Sequence, residues 1–192
     1  MRTVKLIVVV GLLTFMAACG GAGSSNLNVK LGGKDISMPV RSSLVDKSVF
    51  TYTAGPGAPP ATATTFTILL ANFEGDTTNI ATMKKSLTNA DQSLIYLSLT
   101  GEEGTDLKGE LKPGTFKVDP AGKWMKVGSL SVTTVADGKP FETRFDMMFS
   151  GSKATGDVKI TSVTSDKVSG TIDISEGDKS VKGNFTAKLP AK

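Results

Sequence analysis

The sequence predicts an all-β domain, an antiparallel β-sandwich or half-open β-barrel of about nine or ten strands, with one short helix near residues 77–87. Three observations carry this expectation. Short segments with an apolar residue at every second position recur at even intervals, as strands with one buried face require. Turn-forming pairs stand between them, notably Gly32-Gly33, Pro113-Gly114 and Asp137-Gly138. Only one stretch has helical spacing.

Leu27, Val29 and Leu31 alternate before Gly32-Gly33, and Ile36 and Met38 alternate after it, which predicts a hairpin that Pro39 ends. "SVFTYT" follows as a strand rich in β-branched and aromatic residues. The next loop, "AGPGAPPAT", cannot join a ladder because its prolines have no amide donor. In "TTFTILLANF" both registers are apolar: Phe66, Ile68 and Leu70 on one, Leu69, Ala71 and Phe73 on the other. That pattern predicts a central strand buried on both faces. Ile80, Met83 and Leu87 then fall at helical spacing, with Asp76 or Asn79 available as N-cap, so a short helix or turn is expected over one end of the sheet.

From Ser93 onward the β pattern is regular. Ile95, Leu97 and Leu99 alternate; a turn at Pro113-Gly114 divides "GELKPGTFKV"; and "KWMKVGSLSVTTV" carries Trp124, Val127, Leu130, Val132 and Val135. Asp137-Gly138 leads to a segment in which Phe141, Phe145, Met147 and Phe149 are expected to share one face. The last forty residues predict a three-stranded meander. Its strands carry Val158 and Ile160, then Val168, Gly170, Ile172 and Ile174, then Val181, Gly183, Phe185, Ala187 and Leu189, with turns at "TSDK" and "EGDK". Alternation slips at Ser162-Val163, which predicts a bulge or a strand end, and Gly128, Gly170 and Gly183 mark bulges or bends. The meander resembles the C-terminal part of exported bacterial β-proteins, a resemblance that implies a fold and no activity.

Ahead of this domain, Arg2 and Lys5 precede a nearly continuous apolar run from Leu6 to Met16, and Ala17-Ala18 precede Cys19. This is the three-part layout of an export signal. The run is too short to cross a bilayer, whose core of about 30 Å needs roughly 20 apolar residues. Cys19 is the chain's single cysteine, so it has no partner for an internal disulfide, and the chain has no histidine to activate it as a nucleophile. Met16-Ala17-Ala18-Cys19 resembles the lipobox of bacterial lipoproteins, with Met16 where family members usually carry Leu. The resemblance implies that Cys19 receives a diacylglyceryl thioether, becomes the first residue of the mature chain and is acylated on its new amino group. Gly20, where the family's inner-membrane retention signal has Asp, implies the outer membrane. The expected organisation is a signal peptide over 1–18, a lipidated cysteine and flexible tether over 19–26, and a single antiparallel β-domain over 27–192. A tether of this length spans roughly 14 Å on average.

Composition narrows the chemistry. Removal of the leader leaves about 174 residues, enough for one domain with a sizeable core. It also removes two of the 22 basic residues against 18 acidic ones, leaving a charge of about +2. The charges are interspersed and the aromatics are not interleaved with arginines, so nucleic acid is not an expected partner. Mid-strand lysines and few aromatics argue against a transmembrane barrel. Zero histidines removes the commonest general base and the commonest metal ligand, and no cofactor or metal is expected.

Glu102, Glu103, Asp106 and Glu110 are the densest acidic group. They read as a solvated loop rather than a carboxylate pair or a calcium loop, because glycines separate them and nothing apolar surrounds them. Lys84-Lys85 reads as an exposed face, with contact to anionic head groups as the alternative. Trp124 reads as packing in the core or over a sheet edge, with a cavity wall as the alternative. The expected function is that of a membrane-anchored envelope lipoprotein whose β-domain is a non-catalytic structural or protein-interaction module. The alternative is a carrier of a small hydrophobic ligand resembling lipocalin-like barrels.

Overall fold

The computed structural model describes residues 25–53, 55–147 and 151–190. Cys19 and Phe149 lie outside the described residues, as do most of the tether and all of the leader. Eleven strands form one curled sheet, a half-barrel: β1 (Asn26–Leu31), β2 (Lys34–Pro39), β3 (Ser42–Tyr52), β4 (Ala61–Ala71), β5 (Ser93–Glu103), β6 (Gly114–Lys117), β7 (Lys126–Ala136), β8 (Lys139–Arg144), β9 (Thr155–Val163), β10 (Lys167–Glu176) and β11 (Lys179–Lys188). The strand order is β2-β1-β11-β10-β9-β6-β7-β5-β4-β3, and β8 pairs with the far half of β7. Every ladder is antiparallel except β6 with β7, which meet in parallel at Lys117 and Lys126.

The turns follow from local chemistry. Gly32-Gly33 has φ of 54° and 81°, and Asp137-Gly138 has 51° and 70°. Both are hairpin turns with two positive φ values, which suit the right-handed twist of the strands they join. Both readings of the slip at Ser162-Val163 have a counterpart: β9 ends at Val163, and a bulge lies just before, where Ser169 pairs with Ser162 and Gly170 with Ile160, so Thr161 is the extra residue. At Gly170 a Cβ would sit 2.4 Å from the Lys159 carbonyl oxygen and 3.1 Å from the Phe185 ring. The missing side chain is therefore what lets β9 approach and Phe185 lie across β10.

The concave side of the sheet is filled with side chains. Phe66, Ile68 and Leu70 of β4 meet Ile95, Leu97 and Leu99 of β5, Phe116 of β6, Val158 and Ile160 of β9, and Phe185 of β11 in one buried cluster. A second, smaller core lies on the convex side. Helix α1 (Ile80–Lys85) places Met83 there, together with Leu87, against Leu69, Ala71, Phe73 and Leu94. Asn79 caps this helix: its side chain accepts from the Thr82 amide at 3.0 Å, while the Thr82 hydroxyl accepts from the Asn79 amide at 3.1 Å. The reciprocal pair satisfies two otherwise orphaned donors of a helix only six residues long.

Several sequence expectations need correction. β4 is buried on both faces, yet it is next to last in the sheet and not central. Its second buried face comes from the α1 layer. Pro113-Gly114 joins no two strands; it closes a loop and starts β6. Phe141, Phe145 and Met147 do not share a face: Phe141 on β8 is 62% exposed, whereas Phe145 and Met147 are buried in the main core. The chain leaves strand geometry at Arg144 because polar contacts tie it to the β10–β11 hairpin. The Asp146 amide donates to Glu176 at 2.9 Å, and the Lys179 ammonium reaches Glu176 at 2.9 Å and the Arg144 carbonyl at 3.0 Å.

This cluster makes a pH prediction. Burial works to raise the Glu176 pKa, but the Lys179 ammonium and the Asp146 amide outweigh it and hold the carboxyl below its ordinary 4.5. A depressed carboxyl stabilises the fold above its unfolded value and loses that contribution as pH falls through the folded one. Thermal melts in acid are therefore expected to drop steeply below about pH 4.5 in the parent. Glu176→Gln is expected to melt lower at neutral pH and to show a flatter acid limb; equal slopes would remove this cluster as the cause.

Candidate functional site

The half-barrel fails to close along one line, where β3 approaches β11. One serine of β3 bridges the lower part of this seam: Ser43 Oγ accepts from the Lys188 amide at 2.9 Å. Beside it Ser25, just ahead of β1, accepts from the Thr186 amide at 2.8 Å and extends the β1–β11 contact to the seam. β11 ends at Lys188, but β3 continues to Tyr52, so the upper part of the seam stays open. There β3 residues 46–51 are exposed, including Val49 at 39% and Phe50 at 40%.

A groove of about 530 Å³ occupies the opening, walled by Lys47, Phe66, Leu111, Pro113, Val163 and Leu189 among others. The segment from Gly104 to Pro113 forms its far lip and is fastened at several points. The Gly104 amide donates to the Thr62 carbonyl at 2.8 Å, and the Thr64 amide donates to Thr105 Oγ1 at 2.8 Å. The Thr64 hydroxyl donates to the Asp106 carbonyl. Lys47 Nζ donates to the Gly109 carbonyl at 2.9 Å and stands over the Phe66 ring at 5.9 Å. Gly109 is required at this crossing, because a Cβ would fall 2.0 Å from Thr64 Oγ1. Leu111 is buried beneath the lip, which leaves a space of only about 160 Å³ there, bordered by Phe116 and Met125.

On the convex side of the same strand end, Trp124 meets Phe50 edge-on at 6.3 Å and Tyr52 at 6.5 Å. Lys123 Nζ lies 4.3 Å from the Tyr52 ring centre. Trp124 therefore packs over a sheet edge, as its sequence setting suggested; it does not border the groove.

The acidic group divides between the end of β5, with Glu102 and Glu103, and the lip, with Asp106 and Glu110. Lys112 pairs with Glu102 at 3.4 Å, and Asp106 Oδ1 accepts from the Lys108 amide at 2.8 Å. Among the described residues no group of three or more His, Cys, Asp or Glu is placed to hold a metal ion. Lys84 sits over the Tyr96 ring at 5.3 Å, near Glu142. Asp76, Glu142, Asp166 and Glu176 are each held below their ordinary values: Asp76 through the Thr78 hydroxyl, Glu142 through Arg144 and then Ser131, Asp166 through the Thr164 hydroxyl, and Glu176 as described above.

Sequence reasoning placed a strand at "SVFTYT" but missed that its outer edge is unpaired. One signal was present. Val49 and Phe50 are adjacent, so in any strand register one of them must point away from the barrel interior. Comparison of the chain with protein-family models, curated protein sequences and solved structures returns no match.

Proposed function

We propose that this chain is an outer-membrane lipoprotein, anchored through lipidated Cys19, whose half-barrel is a non-catalytic protein-interaction or structural module. The open upper seam carries the reading: a sheet with a filled interior leaves one long strand edge exposed beside an apolar groove. The anchor itself rests on the lipobox resemblance at residues 16–19.

One observation favours a second reading, a carrier of a small hydrophobic ligand: the groove's volume of about 530 Å³ falls in the range of small-molecule sites. Against it, the space beneath the lip is only about 160 Å³. Native mass spectrometry of the protein extracted from its own envelope separates these readings. The expected result is a chain beginning at Cys19 with acyl groups attached and no stoichiometric small molecule. An unmodified Cys19 would remove the anchor, and a stoichiometric hydrophobe would favour the carrier.

A further inference from the structure

We propose that Met125 is an oxidation site: a hydroperoxide converts its thioether to the sulfoxide, and the sulfoxide loosens the lip. This regulation goes beyond the interaction-module reading and does not depend on it.

Accessibility singles the residue out. Of the methionines among the described residues, Met38 and Met83 are 0% exposed and Met147 is 3% exposed, whereas Met125 is partly exposed at the border of the space of about 160 Å³ beneath the lip. Oxidation of a thioether follows exposure, because the oxidant must reach the sulfur. With hydrogen peroxide the step balances simply. A sulfur lone pair attacks one peroxide oxygen, the O–O bond breaks, and the other oxygen leaves as water.

The surroundings decide what the new oxygen does. The space is walled by Phe66, Leu111 and Phe116, and Met125 packs against the edge of this core. A Cβ on Gly114 would lie 3.4 Å from Met125 Cε, so the methyl group packs over the residue at which β6 begins, directly after the lip. The main chain of Met125 is pinned on both sides. Its amide donates to the Gly101 carbonyl at 3.1 Å, and its carbonyl accepts from the Lys117 amide at 3.3 Å. These bonds hold a positive φ of 48°, a conformation uncommon for so bulky a side chain. The main chain therefore cannot carry the sulfoxide elsewhere. A sulfoxide accepts hydrogen bonds, and burying such a group among apolar side chains is unfavourable. Either water enters the space to solvate it or the side chain rotates outward, and in both cases the apolar wall that Leu111 shares is lost. Leu111 is the buried leucine of the lip; Leu107, its other leucine, is 61% exposed. Without that seal the lip keeps its polar fasteners to Thr62, Thr64 and Lys47.

The test exposes the full chain in detergent micelles to hydrogen peroxide, reads each methionine by peptide mass spectrometry, and follows amide hydrogen exchange. Sulfoxide is expected to form at Met125 about tenfold faster than at Met38, Met83 or Met147. Exchange of the Gly109 amide, which donates to the Asp106 carbonyl at 2.9 Å within the lip, is then expected to quicken about tenfold, with no change at Val181 in β11. Met125→Leu keeps an apolar side chain without sulfur and is expected to exchange like the untreated parent before and after peroxide. Should Met125→Leu not fold, reduction of the oxidised parent by a methionine sulfoxide reductase is expected to restore the original exchange rate. Comparable oxidation of Met38, Met83 or Met147 overturns the site. Sulfoxide at Met125 with unchanged Gly109 exchange, quickened exchange in peroxide-treated Met125→Leu, or failure of reduction to restore the rate overturns its control of the lip. Because acylation of Cys19 is read independently by mass, failure here leaves the lipid anchor standing.

Discussion

Cys19→Ser is expected to leave the leader attached and to carry no acyl groups, read as the mass of the uncleaved chain, whereas the parent is cleaved before Cys19 and enters the detergent phase through its acyl chains. The expectation follows from the lipobox resemblance together with the energetics of acyl chains. Each buried methylene contributes about 0.8 kcal/mol, so a single chain holds a protein only marginally while two or three hold it firmly. Serine can accept no thioether, so the acyl affinity is lost at once and only the apolar leader is left to hold the uncleaved chain. A Cys19→Ser protein that was processed normally and stayed in the detergent phase would end the lipoprotein reading. The β-domain's own architecture would be untouched, because Cys19 lies outside it.

Phe185→Ala is expected to destabilise the domain by about 3 to 5 kcal/mol, among the larger costs of a core truncation. Phe185 is buried in the main core, and its ring lies over Gly170 on the neighbouring strand. Gly170 cannot carry a side chain to refill the space, because its Cβ direction is blocked by the Lys159 carbonyl oxygen. The resulting cavity would therefore stay largely open. For a domain of this size the loss corresponds to a fall in melting temperature on the order of 10 °C or more. Chemical denaturation with an unchanged slope would confirm a stability effect, whereas a change below about 1 kcal/mol would show that the site collapses around the smaller residue.

The local features of the fold were legible because each depends on residues close in sequence. Gly32-Gly33 and Asp137-Gly138 announce tight hairpins, since their backbones adopt positive φ at little cost. Asn79 was one of two possible caps, and the reciprocal bond with Thr82 selects it over Asp76, which instead bonds Thr78. The C-terminal meander was legible strand by strand, because its apolar positions alternate almost without interruption. Phe141 misled for an instructive reason: it continues the alternation toward Phe145, but β8 pairs only with β7, so nothing covers that face. At the candidate site, the acidic residues and Trp124 were visible as residue types, but the edge and groove they flank were not.

The sequence by itself determined the all-β class, most strand positions, the hairpin turns, the short helix and the lack of histidine, because periodicity, φ preference and residue inventory are local properties. Tertiary structure alone decided that β4 gains its second buried face from α1, that Ser43 bridges the lower seam, and that β3 outruns β11 to leave Val49 and Thr51 at an open edge. The physical reason is that closure of a sheet depends on the relative lengths and registers of strands far apart in the chain. β3 and β11 are separated by more than a hundred residues, and no local pattern in either one records where the other ends.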